Sequence, residues 1–386
     1  MQIIHQAPLA ALGLGAAFTI VWGVADPVAA LAETREVEAE GYYMMGDGTE
    51  ERLDVAQQRA IANATQRAAE KAGVFVESFS ATRMGKITQD EVRAITSVVL
   101  AVKEPVKVIP EVIADGQALR YHAYVMAVVD TVTIEKVLNQ SDNDKAKLVR
   151  RNNEIEAELA RVNAGIERLK AEHQSATEAD KQRINEEVKQ NERRFEAIEW
   201  NQKGRAHEQR QGQFEEAMEC YRKAVEIDPT FAVPWMNMGE LVWLTDGGKA
   251  ALVYYQKAVE VDPKLADSWS ELGKAYLYYL HEDQKAAECL QRAFDLDPDD
   301  EFTAHRLCLA YNNLHDYDNA IIYGQKAVEL NPNDGLNWQV LGGAYGGAGN
   351  YEKCMECLRK ALEIDPDEYS YQSDLRYWQH KFEEEE

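Results

Sequence analysis

The sequence predicts a multidomain chain: a small α+β domain, a spacer that is either a coiled coil or a folded-back helical hairpin, and an all-α solenoid of paired helices. Three observations predict it. Prolines recur at 229, 263, 298, 332 and 366, each inside the same short phrase. A polar segment without proline, from about residue 140 to 200, steps its apolar residues by four and three. The segment 33–139 mixes alternating runs with one alanine-lined helical stretch.

The proline spacings are 34, 35, 34 and 34 residues. The phrases are Glu226-Ile-Asp-Pro229, Glu260-Val-Asp-Pro263, Asp295-Leu-Asp-Pro298, Glu329-Leu-Asn-Pro332 and Glu363-Ile-Asp-Pro366. Proline cannot continue a helix, so each marks the break between one helical pair and the next. An alanine precedes each proline where helices must approach closely: Ala224, Ala258, Ala293, Ala327 and Ala361. The first helix of a unit carries Trp235 with Met238-Gly239, Trp269 with Leu272-Gly273 or Trp338 with Leu341-Gly342. The fourth unit departs, with Ala304 and Leu307-Cys308. Turns between paired helices read Gly212-Gln-Phe214, His315-Asp-Tyr317 and Gly349-Asn-Tyr351, with Ala217, Ala251, Ala320 and Cys354 at the small position of the second helix.

These residues resemble the tetratricopeptide repeat over 198–366, in five units. The first unit is degenerate and the third carries an insertion near His281 to Gln284. The resemblance implies a concave face built by the first helices, able to take a peptide or partner helix. It places Met236, Glu240, Trp243, Ser270, Lys274, Leu277, His305, Leu309, Asn312, Gln339 and Gly343 on that face. Core packing is the competing role for Trp243 and Leu277. Some family members hold a partner's C-terminal carboxylate with a Lys/Asn/Arg clamp. Met236 and Glu240 are wrong for it, leaving Lys274 and Arg306 as basic candidates.

The repeat register also explains the five cysteines. Cys308 stands in the glycine slot and Cys354 in the alanine slot. Cys220, Cys289 and Cys357 share one position, four residues before the alanine of their own units. They read as small buried apolar groups, not a redox pair or metal site. Beyond the array, in 367–386, Tyr371, Leu375, Trp378 and Phe382 form the stripe of a capping helix before an acidic tail.

In the spacer, 140–197, Leu148, Asn152, Ile155, Leu159, Val162, Ile166 and Leu169 form one seam. Ile184, Val188, Asn191, Phe195 and Ile198 form a second. The phase breaks across His173 to Asp180, where Ser175 and Thr177 are capping residues. Either the segment turns back on itself, or one long helix with a stutter forms a homodimer.

In 33–139, Arg35 to Met44 alternates as a strand, and Ala56, Ala60, Ala64, Ala68 and Ala72 lie on one helical line. Gly73 is expected to end that helix, with a strand from Val74 to Ser80. Thr88 and Glu91 form a capping box for a helix from Gln89 to Leu100. Strands are expected over Pro105 to Ala114 and Leu119 to Val129, joined at Asp115-Gly116, with a helix over Thr131 to Leu138. The segments Glu38-Ala-Glu-Gly41, Gln57 to Ala64, Glu70 to Ser78 and Tyr121 to Asp130 are similar to the N-terminal domain of flagellar assembly protein T and related exported envelope domains. That resemblance implies a structural envelope domain. The flagellar family's usual partner domains are absent, so a flagellar role does not follow.

Leu9 to Ala25 is almost wholly apolar and precedes Pro27 and Ala30-Leu31-Ala32. This is the order of a cleaved export signal over 1–32. No Lys or Arg precedes the run, and its length is near that of a membrane span. An uncleaved anchor is therefore the alternative, and the one route to a membrane.

Acidic residues outnumber basic ones 67 to 42, a net charge of −25. That argues against nucleic acid, whose phosphate backbone is held by Lys and Arg. No helical zinc or di-iron spacing, nucleophile elbow, phosphate loop or dinucleotide fingerprint is present. The glycines from Gly342 to Gly349 fall inside a repeat helix and are expected to leave it weakened or smooth-walled. No catalytic, cofactor-binding or metal-ligating residue is therefore expected. The expectation is a non-catalytic exported adaptor with a protein or peptide partner. A coiled-coil-dimerised structural component of the cell envelope is the alternative.

Overall fold

In a computed structural model, the described residues are 34–45, 53–83, 87–103, 105–113, 118–139, 142–208 and 213–385. The expected signal or anchor lies outside them, as does the Asp115-Gly116 turn. No helix among the described residues is long and apolar enough to cross a membrane.

The N-terminal domain is a four-stranded antiparallel sheet covered on one face by helices. Strand β1 (Thr34–Met45) pairs along its whole length with β4 (Ala118–Asp130), from Thr34 opposite Asp130 to Met45 opposite Leu119. On the other edge β4 pairs with β2 (Leu100–Val102) and with β3 (Lys107–Ile113). Helix α1 (Leu53–Arg83) lays its alanine line on this sheet, with Ala56, Ala60, Ala64, Ala68 and Ala72 fully buried. The small side chains let the backbones approach. A Cβ at Gly41 of β1 would lie 2.2 Å from the Ala64 nitrogen.

Gly73 does not end α1, and the expected strand from Val74 to Ser80 is absent. The buried line continues at the same four-residue step through Val76 and Ser80, and the Ser80 hydroxyl donates to the Val76 carbonyl at 2.8 Å. Packing of that continuous stripe outweighs the glycine's helix penalty. The order is therefore β-α-α-β-β-β-α. Helix α2 (Gln89–Val99) opens with the expected capping box: Thr88 Oγ1 accepts from Glu91 N, and a Glu91 carboxylate oxygen accepts from Thr88 N. Helix α3 (Thr131–Leu138) closes the domain, capped by Asp130.

The spacer is a helical hairpin. Helix α4 (Asp142–Ser175) turns at residues 176–177 into α5 (Glu178–Glu208), and the two seams cover each other. Val162 and Ile166 pack with Phe195 and Ile198, and Leu169 with Ile184 and Val188. The two seam asparagines are satisfied locally: Asn152 donates to Glu156 at 2.8 Å and Asn191 to the Glu187 carbonyl at 2.9 Å. Tyr43 of β1 fastens the hairpin to the sheet, accepting from Lys170 at 2.6 Å.

The C-terminal half of α5 serves as the first helix of the array. It pairs with α6 (Phe214–Ile227). Four further pairs follow, with helices α7 (Ala232–Asp246), α8 (Gly248–Val261), α9 (Ala266–Ala275), α10 (Asp283–Leu296), α11 (Glu301–Asn313), α12 (Tyr317–Leu330), α13 (Gly335–Gly347) and α14 (Tyr351–Ile364). Helix α15 (Tyr369–Glu385) covers the end. Every second helix stops alike. The backbone N–H of Asp228, Asp262, Asp297, Asn331 or Asp365 donates to the carbonyl of the buried alanine four residues earlier. Trp269 and Trp338 then donate from Nε1 to the carbonyls of Pro263 and Pro332, at 3.0 and 2.8 Å.

Inside each pair, a small residue on the first helix seats a large one on the second. Gly204 faces Tyr221, Gly239 faces Tyr255, Gly273 faces Leu290 and Gly342 faces Leu358. The fourth pair reverses the sizes. Cys308 stands on the first helix, and Gly324 takes the position of the large residue; a Cβ there would meet the Cys308 sulfur at 2.9 Å. The residue inserted in the third unit is absorbed as a π turn over Tyr276–Leu280, closed by His281 in the left-handed region at φ 51°.

The glycines of α13 lie within a continuous helix. They make room for aromatic rings, Tyr371 and Trp378 of α15 at Gly335 and Gly346, and Tyr317 at Gly347. All five cysteines are buried and free. Burial pushes the thiols up, to about 11 at Cys289 and Cys357 and about 12 at Cys354.

Candidate protein-binding groove

The face of interest is made by the first helices of successive pairs, α7, α9, α11 and α13. The start of α4 lies across it. Arg151 makes a two-pronged bond to the Glu240 carboxylate on α7, with Nη1 to Oε2 at 2.8 Å. Burial works against the Arg151 charge, but the Glu240 charge and hydrogen bonds outweigh it and hold the guanidinium above its usual range. Removing one partner of such a pair costs on the order of 3 kcal/mol, because the other charge stays poorly solvated. Arg150 bonds Asp267 at the start of α9 and Asp297 before α11, the latter at 3.0 Å, with Asp300 at 3.9 Å. Asp300 also caps α11, accepting from Thr303 N at 3.2 Å.

Next to these pairs the face is polar and connected. Ser270 and Thr303 share a hydrogen bond of 2.8 Å, and Arg306 donates to Ser270 at 2.9 Å. Lys274 and Arg306 both approach Glu271, which is itself buried. Burial lowers the Lys274 ammonium, with the Glu271 charge opposing. Burial holds the His305 imidazole below its usual range, while the hydrogen bond with Asn337 at 3.1 Å opposes. A cleft of about 390 Å³ runs between Ala146 and Arg150 on α4 and Ser270, Glu271, Arg306 and Asn331 on the array.

The expected groove residues divide four ways. Glu240, Ser270, Lys274, His305 and Arg306 lie in the network along the first helices. Met236 and Leu277 do not belong to a groove: each is about 97% or more buried in clusters between helices, because their side chains turn into the neighbouring pair. Trp243 is half-buried, edge-on to Tyr279 at 4.3 Å with Lys274 over its ring. Leu309 and Asn312 are half-buried further along α11, with Asn312 beside Gly343. Gln339 is taken by the capping helix, donating to Asp374 at 2.7 Å.

Sequence reasoning missed Arg150 and Arg151. They lie off the spacer's seam, and their acidic partners are 89 to 147 residues away. Only the adjacent Arg-Arg pair on a helix start marked them. Among the described residues no group of three or more His, Cys, Asp or Glu is arranged to hold a metal ion.

Stacked helical hairpins with a polar inner face, closed by a capping helix, define a tetratricopeptide-type array. Residues 210–246 match the family described as TPR repeat, and residues 305–334 and 337–368 match the tetratricopeptide repeat family. This part of the chain is a tetratricopeptide-repeat array. Similar solved structures include the MamA protein, at 25% identity over 45% of this chain and 94% of that one, with a TM-score of 0.39. YrrB, titled a TPR protein with an unusual peptide-binding site, is 24% identical over 51% of this chain and 98% of its own, TM-score 0.41. The first TPR of Spaghetti (RPAP3), bound to an HSP90 peptide, is 21% identical over 31% of this chain and 95% of its own, TM-score 0.30. No curated protein matches the sequence.

Proposed function

We propose that this chain is a non-catalytic adaptor that binds a protein partner along the first helices of its repeat array. One observation carries the reading. Carboxylates from three successive units, Glu240, Asp267, Glu271, Asp297 and Asp300, converge on one face beside an open cleft. Such a surface selects a basic segment by charge. The residues also argue against a carboxylate clamp. Lys274 and Arg306 are engaged with Glu271, so the face is built for cations.

Export to the bacterial envelope belongs to the same proposal. It rests on the apolar run and small-residue site within residues 9–32 and on the likeness of 34–138 to exported envelope domains. The sheet, the helical hairpin and the array then form a mount, a strut and a binding surface.

The test is crosslinking of the tagged full chain in cells, followed by fractionation. A partner recovered with the envelope fraction, and reduced at least fivefold by Asp267→Asn with Asp300→Asn, is expected. Asparagine keeps the cap at 300 and removes only charge. Recovery from the cytosol alone overturns the export reading. A partner indifferent to the two amides overturns the binding face.

A further inference from the structure

We infer that the first turns of α4 are a tethered occupant of the acidic face, and that the partner replacing them presents arginines from a helix. The inference deepens the reading of that face as the binding surface and rests on it.

The two halves of α4 are held differently. The C-terminal half is locked by an apolar seam in which Ile166 and Leu169 are fully buried against α5. The N-terminal half meets the array through Arg150 and Arg151, whose partners are carboxylates on α7, on α9 and at the entry to α11. Clefts border it on both sides. One of about 390 Å³ faces the array, and one of about 480 Å³ lies between Glu91 of α2 and Ala146, Val149 and Asn153. Ala146 and Arg150 line both. At the height of Arg150 and Arg151 the joint to the array is made of ion pairs flanked by open space, while Leu148 packs on the sheet-domain core and Ile155 and Leu159 join the cluster of Phe195, Ile198 and Phe231.

Guanidinium–carboxylate pairs are set by the fork of the arginine, not by the chain carrying it. Any helix with two adjacent arginines at this height satisfies the same acids. The chain's own segment is held at high effective concentration, so an external one must exceed it in affinity or number of contacts. The α4 start also packs on α2, so its displacement is transmitted to the sheet domain.

The experiment compares the full chain with its R150A/R151A variant. Hydrogen exchange is followed over 146–153 and over 162–172. Binding is measured for a synthetic peptide of residues 142–157, and for the same peptide with both arginines as alanine. The variant is expected to exchange at least tenfold faster over 146–153 with 162–172 unchanged. It is also expected to bind the arginine peptide at least tenfold more tightly than the wild-type chain does, and not to bind the alanine peptide. Unchanged protection over 146–153 overturns the inference. So does a faster-exchanging variant that still ignores the arginine peptide, which would make the segment a fixed strut. If a crosslinked partner is held equally by both proteins, the binding face stands and the tethered occupant falls.

Discussion

At the scale of single residues, the reversed pair in the fourth unit sets the strongest constraint. Gly324 is small because the Cys308 sulfur and Leu341 leave no room for a side chain there. Gly324→Leu is expected to destabilise the chain by about 1–3 kcal/mol through overpacking. Adding Cys308→Gly removes the sulfur, though not Leu341, from that space, and a coupling of about 1 kcal/mol is expected in a denaturant-melt double-mutant cycle. Purely additive losses would show that the two do not share a space. The exchange was readable in the sequence, since Tyr221, Tyr255, Leu290, Gly324 and Leu358 keep the repeat spacing. Locally, the sequence marks only Cys308, in its glycine slot. The compensating glycine sits one helix away, and no local pattern joins the two. The thiols give a second test: none of the five should react with a bulky thiol reagent in the native protein on the timescale on which the denatured chain reacts. Rapid native labelling of any one would place it at the surface.

At the scale of elements, local signals located helix ends well wherever a cap or proline set them. Thr88 with Glu91 and the five proline phrases are such cases. They failed at Gly73, because the decision there is made by the sheet beneath α1 and not by the residue. They were silent on the aromatic partners of the α13 glycines, because Trp378 and Tyr371 belong to another helix. That helix is more than a tail. Deleting residues 367–386 uncovers Gly335 and Gly346 and the cluster of Leu341, Tyr345 and Leu358. The truncated chain is expected to lose protection in α13 and α14 first and to self-associate, as measured by hydrogen exchange and sedimentation. Unaltered protection in α13 would show that α15 caps nothing.

At the scale of the whole molecule, charge organises what the repeat pattern cannot. Five repeat units, the spacer and the α+β domain were legible from periodicity. The way the spacer lies on the array was not, because ion pairs between residues over 80 positions apart leave no periodic trace. The acid excess also enters the pH response. Burial pushes the Glu199 carboxyl on α5 up to about 7. The folded chain therefore binds that proton more tightly than the unfolded one. Its contribution is fully present below about pH 4.5 and is lost as the pH rises through about 7. The difference in stability between wild type and Glu199→Gln should change across that window and level off above it. A pH-independent difference would contradict the burial of the charge.

The first-helix face of the array is proposed as the place where a protein partner binds. It is tested most directly by a photocrosslinking side chain at Asn312 of the full chain in living cells. Ile322, exposed on the second helix α12, serves as the control position. One discrete adduct is expected from position 312 and none from 322, with the 312 adduct suppressed by an excess of the arginine peptide in extracts. Equal adducts from both positions, or an adduct from 322 alone, would contradict it.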